Sequence, residues 1–254
     1  MSASTPVPAN PDGSSVVHRL GSHLKVLALV GFVLAVIATP REHLWPHMAH
    51  LALVLAIAAV ARVSWRYMVT GLRIETPFVL AAILMPFVAT GPTTEILGVT
   101  VSRTGLWGAW SLIAKATLGV LAGLTLAATT QPPALLNGLR RLGLPSQLVE
   151  IMGMMIRYVD VVGEQWRRMG VARAARGFRA SSAASWPALG RSLGTLFIRS
   201  YERGERVHLA MLSRGYTGTI PTAPAAPTPA SDWARAALLP AAATLVTAAA
   251  WGWA

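Results

Sequence analysis

Five apolar runs partition the chain, at about residues 24–39, 48–63, 74–90, within 106–130, and 234–253. Charged side chains are nearly absent from them, so each reads as a helix with no water-facing side, which is what a bilayer asks of a span. The first three lie near the short end of the roughly 17–25 residues a span requires, which suits a thin or protein-covered setting. Pro40 stops the first run, and the third carries Pro77 near its start and Pro86 within it.

Between the fourth and fifth runs the pattern changes to helical periodicity. Pro132 and Pro133 open a short piece in which Leu135, Leu136, Leu139 and Leu142 form a stripe opposite Asn137, Arg140 and Arg141. Gly143 and Pro145 end it. A second piece, from Ser146 to Arg176, would measure about 45 Å at about 1.5 Å per residue, too long to stand upright as a span. Its first half is apolar and Met-rich (Ile151, Met152, Met154, Met155), and its second half is basic (Arg167, Arg168, Arg173, Arg176). A third piece begins near Ser185, has Pro187 in its first turn and closes at Arg214–Gly215. The stretch 219–231, rich in Pro and Ala, reads as an extended linker.

These patterns predict an all-α, polytopic membrane protein with about five transmembrane helices and long amphipathic cytoplasmic helices. The expected organisation is a disordered cytoplasmic tail over 1–22, four spans within 23–130, a helical module over 131–218, a Pro/Ala-rich linker over 219–233 and a last span over 234–254. A cleaved signal peptide ending near Ala35 to Ala38 is the competing reading of the N-terminus. The long tail and the further spans argue against it.

Composition supports the membrane assignment. Of 254 residues, 54% are hydrophobic and 13% charged, about half the charge of an ordinary soluble domain. The net charge of +12 is not a nucleic-acid signature, because the cations sit at the ends of apolar runs. Arg19 and Lys25 flank the first span, Arg62, Arg66 and Arg73 lie between the second and third, and thirteen arginines lie between the fourth and fifth. The opposite loops hold only Arg41 and Arg103. This bias puts the N-terminus and the 131–218 module inside the cell and the C-terminus outside. With no cysteine, disulfides and thiolate metal sites are excluded. No Gly-x-x-x-x-Gly-Lys-[Ser/Thr] loop is present to cradle nucleotide phosphates, and no paired carboxylates or Ser/His/Asp order stand out within a span, so the chain is read as non-catalytic and without a cofactor.

The candidate site is the pair of Arg–Gly stops, Ala175-Arg176-Gly177 and Ser213-Arg214-Gly215. Glycine past a helix end and arginine in its last turn are ordinary capping chemistry, so one such stop says little. The pair says more: each follows a small residue, precedes an aromatic (Phe178, Tyr216) and closes a long amphipathic helix. Two cationic tips presented together suit acidic grooves on a partner. Other candidates read more plainly. His43, His47 and His50 have helical spacing, but Pro46 interrupts it and no carboxylate cluster joins them, so they are expected in a solvated loop rather than at a metal. Lys115 is expected to snorkel outward and Glu75 to sit at the interface. The 152–155 methionines read as core packing ahead of a sliding surface for a mobile partner. Glu202, Arg203, Glu205 and Arg206 read as a solvated face with modest ion pairs.

Several strings together carry a family resemblance. They are His18-Arg19-Leu20 with Lys25, Ala127-Ala128-Thr129-Thr130, Leu139-Arg140-Arg141-Leu142-Gly143-Leu144-Pro145, Ile156-Arg157-Tyr158, Glu164, Ala172-Arg173-Ala174-Ala175-Arg176-Gly177, Ser200-Tyr201-Glu202-Arg203 and Met211-Leu212-Ser213-Arg214-Gly215-Tyr216. The chain resembles the transmembrane coupling component of energy-coupling-factor transporters, specifically the CbiQ type associated with cobalt or nickel uptake. It departs at Ser213, where that family has alanine, and at Gly21-Ser22-His23, where it tends to have Asp-Pro-Arg before the lysine. The resemblance implies a plasma-membrane, multi-pass subunit in which Arg176 and Arg214 insert into two ATPase subunits. It also implies a membrane substrate-binding component as partner, with a small accessory membrane subunit as a further candidate and membrane lipid around the spans. A vitamin transporter's coupling component, or a non-transport membrane scaffold, are the alternatives.

Overall fold

A computed structural model describes residues 15–96, 99–178, 186–220 and 227–253. The architecture is all-α: α1 Val16–Arg19, α2 Ser22–Ala38, α3 Leu44–Val60, α4 Trp65–Gly71, a 3-10 turn Leu72–Glu75, α5 Thr76–Val88, α6 Arg103–Thr129, α7 Pro132–Arg141, α8 Ser146–Ala175, α9 Trp186–Leu212 and α10 Ala230–Gly252. The exception is a short antiparallel hairpin between α5 and α6, β1 Thr93–Ile96 with β2 Val99–Ser102, registered with Thr93 opposite Ser102 and Ile96 opposite Val99. The chain divides into two compact units, Met1–Leu142 with Ala226–Ala254, and Gly143–Ala225.

The first unit is the membrane bundle. Among the described residues, three helical stretches are long and apolar enough to cross a bilayer: Trp65–Val88, Arg103–Thr129 and Ala230–Gly252. The apolar helices α2 and α3 are shorter, 17 residues each. The third span begins earlier than the expected residue 74, so Arg66 and Arg73 lie in its helical and 3-10 turns rather than in an open loop. Pro77 falls in the first turn of α5, where its missing N–H has no helical partner to lose. The core is built from Phe32, Ala35, Val36, Val54, Ala58, Leu118, Leu121, Ala122 and Ala243. Two glycines permit close crossings. A Cβ at Gly105 would come within 2.7 Å of the Pro86 backbone, and one at Gly138 within 2.7 Å of the His23 backbone nitrogen. The second crossing seats α7 on the start of α2, where Ser22 Oγ also donates to Ala134 O at 2.6 Å. The helix α7, expected inside the 131–218 module, therefore groups with the bundle.

Further sequence expectations fail in this unit. The tail expectation fails where it reaches described residues: Ser15 caps α1 through its side chain, and α2 begins at Ser22. Pro46 does not interrupt a helix but sits in the first turn of α3. His47 and His50 are buried at 1% and 0% exposure, not solvated. Glu75 is buried against α6, where Thr117 Oγ1 donates to its Oε2 at 2.9 Å, and is not interfacial. For His50 and Glu75, a neighbouring helix covers a position that a local reading leaves open.

The second unit is an antiparallel helix pair. Glu150 on α8 meets Tyr216 beyond the end of α9, while Val162 and Ser200 line the same crevice farther along. Among its described residues only Val149 is buried. The methionine stripe is therefore not core packing: Met155 is 66% exposed, and Met152 and Ile151 are exposed as well. Glu202, Glu205 and Arg206 are exposed as expected, but no ion pair forms among them within the described residues. Residues 221–226, six of the fifteen in the expected linker, lie outside the described residues.

Candidate functional site: two arginine-tipped helix ends

Both tips are built by the same backbone device. At the first, Gly177 takes φ +77°, Phe178 N–H donates to Arg173 O at 3.1 Å and Gly177 N–H donates to Ala174 O at 3.0 Å. At the second, Gly215 takes φ +84°, Tyr216 N–H donates to Met211 O at 3.0 Å and Gly215 N–H donates to Leu212 O at 3.0 Å. These paired bonds form the Schellman stop, which satisfies the last carbonyls only when the residue past the cap adopts a left-handed conformation. Glycine adopts it without a Cβ penalty. Each motif thus fixes an arginine as the helix cap, Arg176 in one and Arg214 in the other.

Both arginines are exposed, and among the described residues neither guanidinium makes a hydrogen bond or ion pair. The fold does not bring the two tips together. Glu150, which holds the residue beside the second tip, lies on the same helix as the first tip, and the intervening turns place the tips about 40 Å apart at about 1.5 Å per residue. The pair offers one cation at each end of a rod.

Each tip is braced differently. Behind the first, Arg173 lies over the Trp166 ring at 4.8 Å and the Phe178 ring at 5.9 Å, so the stop packs on its own helix. Behind the second, Tyr216 Oη donates to Glu150 Oε2 at 2.8 Å and Ile220 N–H donates to Glu150 Oε1 at 2.7 Å. That hydrogen bond, followed by burial and by the Glu150 charge, pushes the Tyr216 phenol above its ordinary value. Farther along α8, Glu164 accepts from Arg167 at 2.7 Å and from Arg168 at 2.8 Å, and these two bonds hold its carboxyl down at about 2. Ser213, the small residue of the second tip, donates its hydroxyl to Ala210 O at 3.0 Å, which turns it back onto the helix.

In the membrane unit the two lysines are turned inward. The chain has two lysines, and both cap helices. Lys25, near the start of α2, donates to Thr129 O at 2.7 Å and to Thr130 Oγ1 and His18 O at 3.3 Å each, closing the end of α6. Lys115, on α6, donates to Ile37 O at 2.8 Å and Thr39 O at 2.9 Å, closing the end of α2. Lys115 therefore does not snorkel to solvent: the carbonyls left unpaired at a helix C-terminus attract it. His50 on α3 hydrogen-bonds Pro46 O one turn back at 2.6 Å and bridges to Ala243 O of α10 at 3.3 Å, edge-on to Phe32. Among the described residues no group of three or more His, Cys, Asp or Glu side chains is placed to hold a metal. Sequence reasoning missed both lysine caps and the Glu150 brace. The rarity of lysine in a chain with twenty arginines was the available signal.

Comparison with known proteins agrees in one direction. The family model of CbiQ, described as cobalt transport protein, matches residues 13–224. The chain is 29% identical over 222 residues to the energy-coupling factor transporter transmembrane protein EcfT of Bacillus selenitireducens, covering 81% of each chain. It is 26% identical over 222 residues to the EcfT of Thermotoga maritima, covering 82% of this chain and 79% of that one. It is 27% identical over 166 residues to the cobalt transport protein CbiQ of Rhodobacter capsulatus, covering 61% of this chain and 68% of that one. A helical membrane bundle joined to a second unit with two matching arginine stops, matched over most of its length by one family, is a membrane transport component: the chain belongs to the CbiQ cobalt transport protein family.

Proposed function

We propose that this protein is the coupling component of an energy-coupling-factor importer. In this reading it passes the opening and closing of partner ATPase subunits to a membrane substrate-binding component that takes up cobalt or nickel. The observation that carries the reading is the pair of matching Schellman stops, each presenting an exposed arginine with no partner among the described residues. An arginine held rigidly and left unpaired is suited to a carboxylate-lined groove on another protein, where the planar fork is bidentate. Tips about 40 Å apart suit two grooves, one on each subunit of an ATPase dimer, better than a single groove. The N-terminus and the α8–α9 unit then lie in the cytoplasm and the C-terminus outside, in keeping with the arginine bias. Motion passes as rigid-body displacement of the two long helices.

Cargo is assigned by likeness alone. The Rhodobacter relative's name specifies cobalt, while the EcfT names specify no cargo, which keeps a vitamin as the second reading. Co-purification from native membranes tests the assembly: ATPase subunits are expected with the wild-type chain, and their consistent absence refutes the proposal. Uptake of radiolabelled cobalt and nickel, with vitamins in parallel, then assigns the cargo.

A further inference from the structure

The two tips share one backbone motif but not one support, and this makes them unequal. The first is packed locally, with Arg173 of its own helix over the rings of Trp166 on that helix and of Phe178 just past the stop. The second is tied to the other helix of the pair through one carboxylate. Both oxygens of Glu150 are engaged at short range, one by the Tyr216 hydroxyl at 2.8 Å and one by the Ile220 amide at 2.7 Å, bracketing the turn that follows Arg214. These contacts close one end of a crevice of about 740 Å³ between α8 and α9, lined at that end by Gln147, Glu150, Met154, Met211 and Tyr216. Without the brace, Arg214 would be carried by the end of α9 alone, a helix with no buried residue.

We propose that Glu150 is a positioning residue for the second tip: by gripping Tyr216 and Ile220 it fixes the direction of Arg214 relative to α8, and has no such influence on Arg176. The inference rests on the coupling reading given above. The mechanical consequence is that a shift of α8 is transmitted to the second tip directly, through two hydrogen bonds, rather than through loose side-chain packing. Glu150 acts through Tyr216.

Selectivity between the tips is the test. Full-length protein in lipid nanodiscs is titrated with the ATPase subunits that co-purify with the wild-type chain, in two single-tip backgrounds. Arg176→Ala leaves the second tip to carry binding, and Arg214→Ala leaves the first. Tyr216→Phe, which removes only the hydroxyl, is expected to weaken binding about fivefold in the Arg176→Ala background, a fraction of what one hydrogen bond to a carboxylate is worth. It is expected to change binding less than about 1.5-fold in the Arg214→Ala background. Glu150→Ala should give a larger loss with the same selectivity, and Glu150→Gln, which keeps one acceptor oxygen, should recover part of it. Equal effects in the two backgrounds, or none in either, overturn the positioning role. Undiminished ATPase binding by the Arg176→Ala/Arg214→Ala double variant would instead sink the coupling reading, so the two failures are distinguishable.

Discussion

The two lysines of the membrane unit and the two tip arginines of the α8–α9 unit present positive charge in opposite ways. In the bundle both lysines are turned inward, each closing the C-terminal carbonyls of the other's helix. At the ends of α8 and α9 the arginines are turned outward and meet no acceptor within the described residues. The difference follows from the side chains. An ammonium offers three donors around one point and fits the converging carbonyls of a helix end, whereas a guanidinium is a planar fork suited to a carboxylate presented by something else. The bundle's two lysines hold helices together, whereas the two tip arginines are left open to solvent.

Substitutions at the two kinds of cation should separate holding from gripping. The largest effect is expected from the Arg176→Ala/Arg214→Ala variant, which should reduce cargo uptake at least about a hundredfold, since losing one partner of a buried charge pair costs roughly 2–5 kcal/mol. Its thermal unfolding in detergent should match wild type, because neither side chain touches the fold. Unchanged uptake would break the comparison at its functional end.

Lys25→Met reverses that profile. It leaves the buried Thr129 carbonyl without a donor, and the expected loss is about 2–3 kcal/mol, read as a lower unfolding midpoint in detergent. Lys115→Met, whose acceptors are partly exposed, should lose about 1 kcal/mol by the same measurement. An equal loss for the two lysines would contradict the burial difference between the two helix ends.

The smallest effect concerns Glu164. Its carboxyl is held down at about 2 by hydrogen bonds from Arg167 and Arg168. Because the folded value is depressed, whatever this group contributes is complete above the ordinary carboxylate value of about 4.3 and is lost only as pH falls toward about 2. In a carbon-13 titration of labelled glutamate, one carboxyl signal should remain ionised below pH 4 and disappear in Glu164→Gln. A midpoint near 4.3 for that signal would show that the arginines are not seated on it. Both partners are largely solvent-exposed, so no change in overall stability is expected.

Much of this arrangement was legible along the chain. The two Arg–Gly stops, the turn between α7 and α8 at Gly143 and Pro145, and the apolar runs all follow from local chemistry: glycine tolerates positive φ, proline lacks a donor, and apolar faces leave water. The buried histidines were not legible; His50, for one, is engaged by α10, which arrives from nearly two hundred residues later. Glu75 and Lys115 failed for the same reason, each being covered or engaged by a helix that its own neighbourhood in sequence does not mention. The methionine stripe erred in the other direction. Its apolar pattern is that of a core, but α9 covers only part of α8 and leaves Met155 open.

Sequence alone thus determined what each segment is: membrane helix, amphipathic rod, or capped arginine tip. These depend on interactions within a few residues, and the chain order supplies them. Tertiary structure alone decided what each charged side chain faces. It seats Lys25 and Lys115 on the ends of each other's helices, sets the arginine tips at opposite ends of one pair and ties the second tip to Glu150. The physical reason is that a hydrogen-bond acceptor is chosen by distance in space, and helices that cross bring together carbonyls and donors separated by a hundred residues or more.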